Sequence, residues 1–121
     1  MESMKKSYRD LFIWQASVDL ATHVIAVTHE FPVQQRYVLV EQMQRAAISV
    51  PSNIAEGKGR LSQRELRRYV GVARGSLYEL DTQIEIASRV GFLDEQHRDD
   101  LNARLVTIGC GINNFLKCIK T

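Results

Sequence analysis

The chain has 121 residues, enough for one domain with a buried core, and no stretch reaches the ~20 consecutive apolar residues that a membrane-spanning helix needs. Lys and Arg exceed Asp and Glu by 16 to 14, and the resulting charge of +2 is too small to imply a nucleic-acid partner by itself. Only the distribution of charge along the chain can point to one.

The first residues, MESMKKSYRD, carry two lysines but neither an apolar run nor a small-residue cleavage pattern, so a soluble cytoplasmic protein without a leader is expected. Cys110 and Cys118 are the only cysteines. Eight residues apart on a straight helix they stand about 12 Å apart, too far for a disulfide, and they lack zinc-pair spacing. They read as reduced thiols.

From Leu11 onward Trp14, Val18, Ala21, Ile25 and Thr28 recur at four and three, which predicts one helix over about 11–29 with these residues inward. Ile13, Val24 and Val27 fall outside that stripe and are expected to seek a partner, as are Phe31 and Val72. Pro32 stops the helix, and VQQRY, Val33 to Tyr37, connects to a second stripe at Val40, Met43, Ala47, Val50 and Ile54. Pro51 lies inside this stripe. Either the helix stops near Ser49 and restarts, or it runs through a kink over about 38–56; the unbroken apolar phase favours the kink.

Gly57, Lys58 and Gly59 are expected to end that helix, since glycine tolerates the left-handed conformation. The stretch is not a phosphate loop. Ser52 stands where the first glycine would be and Gly59 where Ser or Thr would be, behind a helix rather than a strand. Ser62 followed by Glu65 has the form of a capping box, opening a third helix over about 63–90 with a core stripe of Leu66, Val70, Ala73, Leu77, Leu80, Ile84 and Ala87. Asp94 caps a fourth helix over about 95–119, with Leu101, Leu105, Ile108, Ile112, Phe115 and Ile119 inward. Gly109 and Gly111 cost that helix about 1 kcal/mol each unless they admit a close neighbour. Four helices joined by short links predict an all-α, antiparallel up-and-down bundle as the single domain of residues 1–121.

No enzyme chemistry emerges from the spacing. The Glu-x-x-His pairs of di-metal bundles are missing, His23, His29 and His97 are scattered, and no nucleophile–base set is recognisable, so neither a metal nor another cofactor is expected. One polar feature stands out. Lys58, Arg60, Arg64, Arg67, Arg68 and Arg74 are interrupted between Gly57 and Arg74 by a single acid, Glu65. Guanidiniums clustered on helical turns offer bidentate phosphate contacts without reading bases, which suggests RNA or DNA; otherwise they form a solvated or subunit-pairing face.

The segments YRDLFIWQAS, QMQRAAISVPSNIAEGKGR and ARGSLYELDTQIEIASRVGFL together resemble the four helix bundle protein family, also called the ribosomal RNA intervening-sequence protein family, from Tyr8 to Cys118. The resemblance implies an up-and-down bundle that assembles as a homo-pentamer, is often encoded within insertions in bacterial large-subunit ribosomal RNA genes, and has been linked to nucleic acid. It supplies no active site. Its motif positions fall on Asn53, Glu56, Gly57, Gly59 and Arg60, then Arg74, Gly75, Ser76 and Glu79. In a hairpin turning near Gly57, Glu56 is placed to hold Arg60 or Arg64, and Gly75 to permit a close crossing or subunit contact. The sequence thus leaves two functions open: a basic hairpin touching nucleic acid, or a structural or protein-interaction module.

Overall fold

The computed structural model describes residues 8–120, so most of the N-terminal segment read above for a leader lies outside them. Four helices carry the fold: α1 (Phe12–Thr28), α2 (Glu41–Lys58), α3 (Gln63–Arg89) and α4 (Glu95–Cys118). A 3-10 turn, Tyr8–Asp10, precedes α1, and the link to α2 is a second such turn, Val33–Gln35, followed by a π-helical turn, Arg36–Val40. Short links make successive helices antiparallel, and each packs on the next around a closed ring in which α1 also meets α4.

Cross-helix contacts fix the register. Gln44 donates to Thr28 Oγ1 (3.0 Å) between α1 and α2, Ser49 and Ser76 hydroxyls meet at 2.8 Å between α2 and α3, and Arg67 donates to the Leu116 carbonyl (2.9 Å) between α3 and α4. The ring closes where Gly111 of α4 lies under Ile13 of α1: a Cβ at 111 would sit 2.8 Å from Ile13 Cγ2, so only glycine lets the two helices approach this closely. Gly111 is therefore a packing position rather than a weak spot.

The α3 and α4 stripes are buried as their spacing predicts, except that Phe115 is half-buried. On α2, Met43, Ala47, Val50 and Ile54 are buried, and the helix runs through Pro51 without a break. Its regular part starts later than expected, after the π-helical turn. Helix α1 differs more. Its buried face is Ile13, Ser17, Leu20, Ala21, Val24 and Thr28, while Trp14 and Val18 flank the core and Ile25 is exposed. Ala21 and Thr28 of the expected stripe are buried, but the rest of the core face lies one residue earlier, at Ile13, Ser17, Leu20 and Val24. Ser17 hid it, because a polar residue occupies a fully buried position there, with its Oγ lacking a hydrogen-bond partner. Ile13 and Val24 thus belong to the core of the chain itself. So does Phe31, whose ring meets Phe92 at 5.9 Å.

Candidate nucleic-acid interface

The antiparallel order puts the α2–α3 turn, the start of α1 and the end of α4 at one end of the bundle, called here the near end. Gly57 does not terminate α2. It is buried inside the last turn, where a Cβ would lie 2.9 Å from Tyr69 Cβ, so the missing side chain lets α2 and α3 converge toward their turn. Gly59 is not left-handed either: its φ is −80°, and its N–H donates to the Ala55 and Glu56 carbonyls. Among described residues only Gly91, at the far end, takes positive φ.

Ser62 opens α3 by accepting from the Glu65 N–H at 3.1 Å. The Glu65 carboxylate does not return to Ser62 as a capping box would have it. Arg68 captures it at 3.1 Å, and that hydrogen bond holds the Glu65 carboxyl below the usual carboxylate range. A charged guanidinium one turn along outcompetes a neutral backbone N–H for a carboxylate.

The six basic residues singled out by the sequence divide into three groups. Arg60 donates to Glu56 (2.9 Å) and to the Tyr69 hydroxyl (2.5 Å), and both Arg60 and Arg68 lie over the Tyr69 ring, 4.8 and 4.5 Å from its centroid. The Glu56 hydrogen bond is also the main reason that the Arg60 pKa rises. Arg67 reaches across to the end of α4 through the Leu116 carbonyl but stays exposed. Lys58 and Arg64 are exposed, and no described carboxylate lies within ion-pair distance of Lys58, Arg64 or Arg67. Arg74 is different. Ten residues beyond Arg64, about 15 Å along the helix, it packs over the Tyr78 ring at 4.8 Å, half-buried, with a buried Nε that has no partner.

The other motif residues assemble a polar seam between α2 and α3. Asn53 donates to the Ser49 carbonyl and hydroxyl (2.8 and 2.9 Å), Ser49 meets Ser76, and Glu79 lies one turn on, accepting weakly from Gln83 at 3.5 Å. Ser49 links the two motifs, and nothing in its spacing singled it out. Gly75 is exposed with no atom within 4 Å of where a Cβ would sit, so no close approach within the chain requires it.

Sequence reasoning also missed three cations, because they are far away in the chain. Arg9, Lys117 and Lys120 reach the near end only once the topology is known. Among the described residues, within about two helical turns of that end stand eight cations, Arg9, Lys58, Arg60, Arg64, Arg67, Arg68, Lys117 and Lys120, against three carboxylates, Asp10, Glu56 and Glu65. The far end reverses the balance, with Glu30, Glu41, Glu85, Asp94, Glu95, Asp99 and Asp100 against Arg36, Arg45, Arg89 and Arg98. A nearly neutral chain is therefore an axially polarised one.

The near end offers a surface rather than a cavity. The depression beside the turn, lined by Gly57, Lys58, Arg60, Leu61, Ser62, Gln63 and Leu66, holds about 180 Å³, less than small-molecule sites occupy. Among the described residues no group of three or more His, Cys, Asp or Glu could hold a metal ion, and no helix is long and apolar enough to cross a membrane.

Comparison with known proteins adds the following. Residues 9–114 match the family described as 23S rRNA-intervening sequence protein. A crystal structure of a protein with unknown function from the S23 ribosomal protein family of Bacteroides thetaiotaomicron is similar in fold, with a TM-score of 0.80 at 17% identity, covering 87% of this chain and 95% of that one. No curated protein matches the chain.

Proposed function

The chain belongs to the 23S rRNA-intervening sequence protein family, a family of four-helix bundles, and from that premise we propose that it is a non-enzymatic, oligomeric bundle whose near end contacts RNA or DNA phosphate without reading sequence. The observation that carries this reading is the charge polarity: the described cations of three separate chain segments, around Arg9, from Lys58 to Arg68, and at Lys117 and Lys120, gather at one end. Arg64, Arg67 and Arg68 occupy adjacent positions on the first two turns of α3 and Lys58 and Arg60 flank them from the turn, while Arg74, expected with them, is engaged by the Tyr78 ring farther along α3. Guanidiniums and ammoniums at such density suit a phosphodiester backbone, and base specificity would need contacts that they do not define.

Assembly into a homo-pentamer, which the family resemblance implies, would place several basic ends on one particle and raise avidity for a long polyanion. Val72 and Ile86 of α3 and Val90 just past its end are exposed, as are Ile25 of α1 and Ile48 of α2. These exposed apolar side chains are what favours association, in place of the Ile13 and Val24 side chains that the chain buries itself. Gly71 and Gly75 leave open space on α3 for a neighbour's backbone. Cys110 and Cys118 are free and exposed, in keeping with a reducing cytoplasm.

Replacing Arg64, Arg67 and Arg68 together by Glu tests the reading. Binding to both polymers at low salt is expected to vanish, with helicity and oligomer size unchanged. Unchanged affinity would make the arginines a structural face and leave the bundle a protein-interaction module.

A further inference from the structure

At the tip of the α2–α3 turn Leu61 is 103% exposed, more than any other large apolar side chain among the described residues. The turn around it is pinned. Gly59 is held by the Ala55 and Glu56 carbonyls, the Arg60 N–H donates to the Gly57 carbonyl, and Ser62 caps α3. Leu61 is therefore presented outward by a fixed backbone and cannot lower its exposure by folding back.

Its surroundings select what it can meet. Lys58, Arg60 and Arg64 flank it in the turn, so the partner drawn to this tip is a polyanion. Two near-end rings are already engaged, Tyr69 by Arg60 and Arg68 and Trp14 by Arg9 at 5.3 Å from its centroid, and the exposed Phe12 stands at the start of α1 beside Gly111 of α4 rather than in the turn. Leu61 is the side chain at this tip left free for apolar contact with a base. An anionic lipid surface has the same charge, but lipid insertion draws on the broad apolar face of an amphipathic element, and here a single leucine stands among cations.

Building on the phosphate reading above, we infer that Leu61 is a wedge that enters between bases where their stack is already broken, so that the near end prefers bulged or unpaired nucleic acid to continuous duplex. Apolar side chains, leucine among them, insert between base steps in this way. The cost of separating bases is least where a nucleotide is unpaired, which turns one apolar side chain into a preference for defects.

The test is a fluorescence-anisotropy titration of the full chain against a continuous duplex, the same duplex carrying a three-nucleotide bulge, and phosphatidylserine vesicles. Wild type should bind the bulged duplex about tenfold tighter than the continuous one. Leu61→Ala and Leu61→Gln should bring that ratio to about twofold or less while leaving the salt dependence unchanged. Equal wild-type affinity for the two duplexes, a preference retained by both variants, or an effect of Leu61 confined to vesicles would overturn the wedge. Salt-sensitive but equal binding to both duplexes would sink the wedge alone, whereas salt-insensitive or undetectable binding to either would sink the phosphate reading with it.

Discussion

At the far end of the bundle three of the four described arginines are closed by their own helices, Arg45 on Glu41 at 3.0 Å, Arg89 on Glu85 at 2.8 Å and Arg98 on Asp99 at 3.1 Å, while Arg36 meets no described carboxylate within ion-pair distance. Among the described carboxylates there only Glu30 lacks an ion-pair partner. At the near end the helices carry cations without such partners, and the two arginines that do pair, Arg60 and Arg68, also pack on Tyr69. Exposed pairs one turn apart contribute only a few tenths of a kcal/mol to stability, so neither arrangement is needed to hold the fold. What the difference teaches is that charge at the far end is mostly neutralised locally, while at the near end it is held oriented and open. Tyr69 acts there as a platform that fixes two guanidiniums, reducing what a phosphate contact would cost in side-chain entropy.

The comparison is broken most forcefully by charge reversal. Arg64→Glu, Arg67→Glu and Arg68→Glu together should lower RNA and DNA affinity at low salt by about 100-fold or more, because phosphates that are no longer neutralised keep their counterions and each new carboxylate repels them. The mirror experiment, Asp99→Lys with Asp100→Lys at the far end, should leave affinity equal or slightly higher, both variants being read in one filter-binding assay. A gain from the far-end lysines comparable in size to the near-end loss would mean that net charge, not location, governs binding.

Next in size is the convergence of α2 and α3 that shapes the near end. Gly57→Ala forces a Cβ to within 2.9 Å of Tyr69 Cβ, on main-chain-anchored atoms that cannot swing away. Overpacking of this kind should cost about 1–3 kcal/mol, offset in part by the better helix propensity of alanine, and thermal denaturation would register it. Its far-end counterpart, Gly91→Ala, meets no atom within 4 Å but is strained by a φ of +86°, so it too should destabilise, by about 1 kcal/mol.

Caps sharpen the comparison further. Ser62→Ala and Asp94→Ala should each cost about 1 kcal/mol, through loss of the acceptor for the Glu65 or His97 N–H. Their response to acid should differ. The His97 backbone N–H holds the Asp94 carboxyl below its ordinary value, so the far-end cap contributes fully at neutral pH and is lost as pH falls below about 4 through the depressed value. Ser62 does not titrate. Glu65 nearby does, in the same direction through Arg68, which removes the ion pair in that window but not the hydroxyl cap. Denaturant titrations at pH 7 and pH 3 should show the Asp94→Ala deficit shrinking and the Ser62→Ala deficit persisting. The smallest effect expected is from Glu56→Gln, which frees Arg60 from its ion pair and should raise nucleic-acid affinity by about twofold or less, read by anisotropy.

The helices were legible because α2, α3 and α4 carry one clean apolar stripe each, and periodicity measures that directly. Helix α1 was placed along the chain but three of its five inward positions were misassigned, Trp14, Val18 and Ile25, because apolar side chains cover most of its circumference and a buried serine interrupts the real core face. The sequence also offered Gly57 as a terminator, for which its conformational freedom qualifies it. Its actual role, close packing against Tyr69, depends on a neighbour twelve positions later that a local reading does not see. Of the interface, the run from Lys58 to Arg68 was visible as local density. Arg9, Lys117 and Lys120 were not, since only the up-and-down topology brings both chain ends to the α2–α3 turn. Arg74 looked continuous with the run through helical spacing, yet its guanidinium is engaged by the Tyr78 ring.

The central claim, that open cations at the near end bind phosphate, is tested most directly by one measurement: the slope of log affinity against log salt for wild-type protein on a duplex RNA and a duplex DNA. If three or four of these cations neutralise phosphates, affinity should fall linearly on both polymers, with a slope of about −3 on DNA and a similar one on RNA. A flat line, or no binding at low salt, would contradict the account and leave the polarity of the bundle to be explained by contacts between proteins.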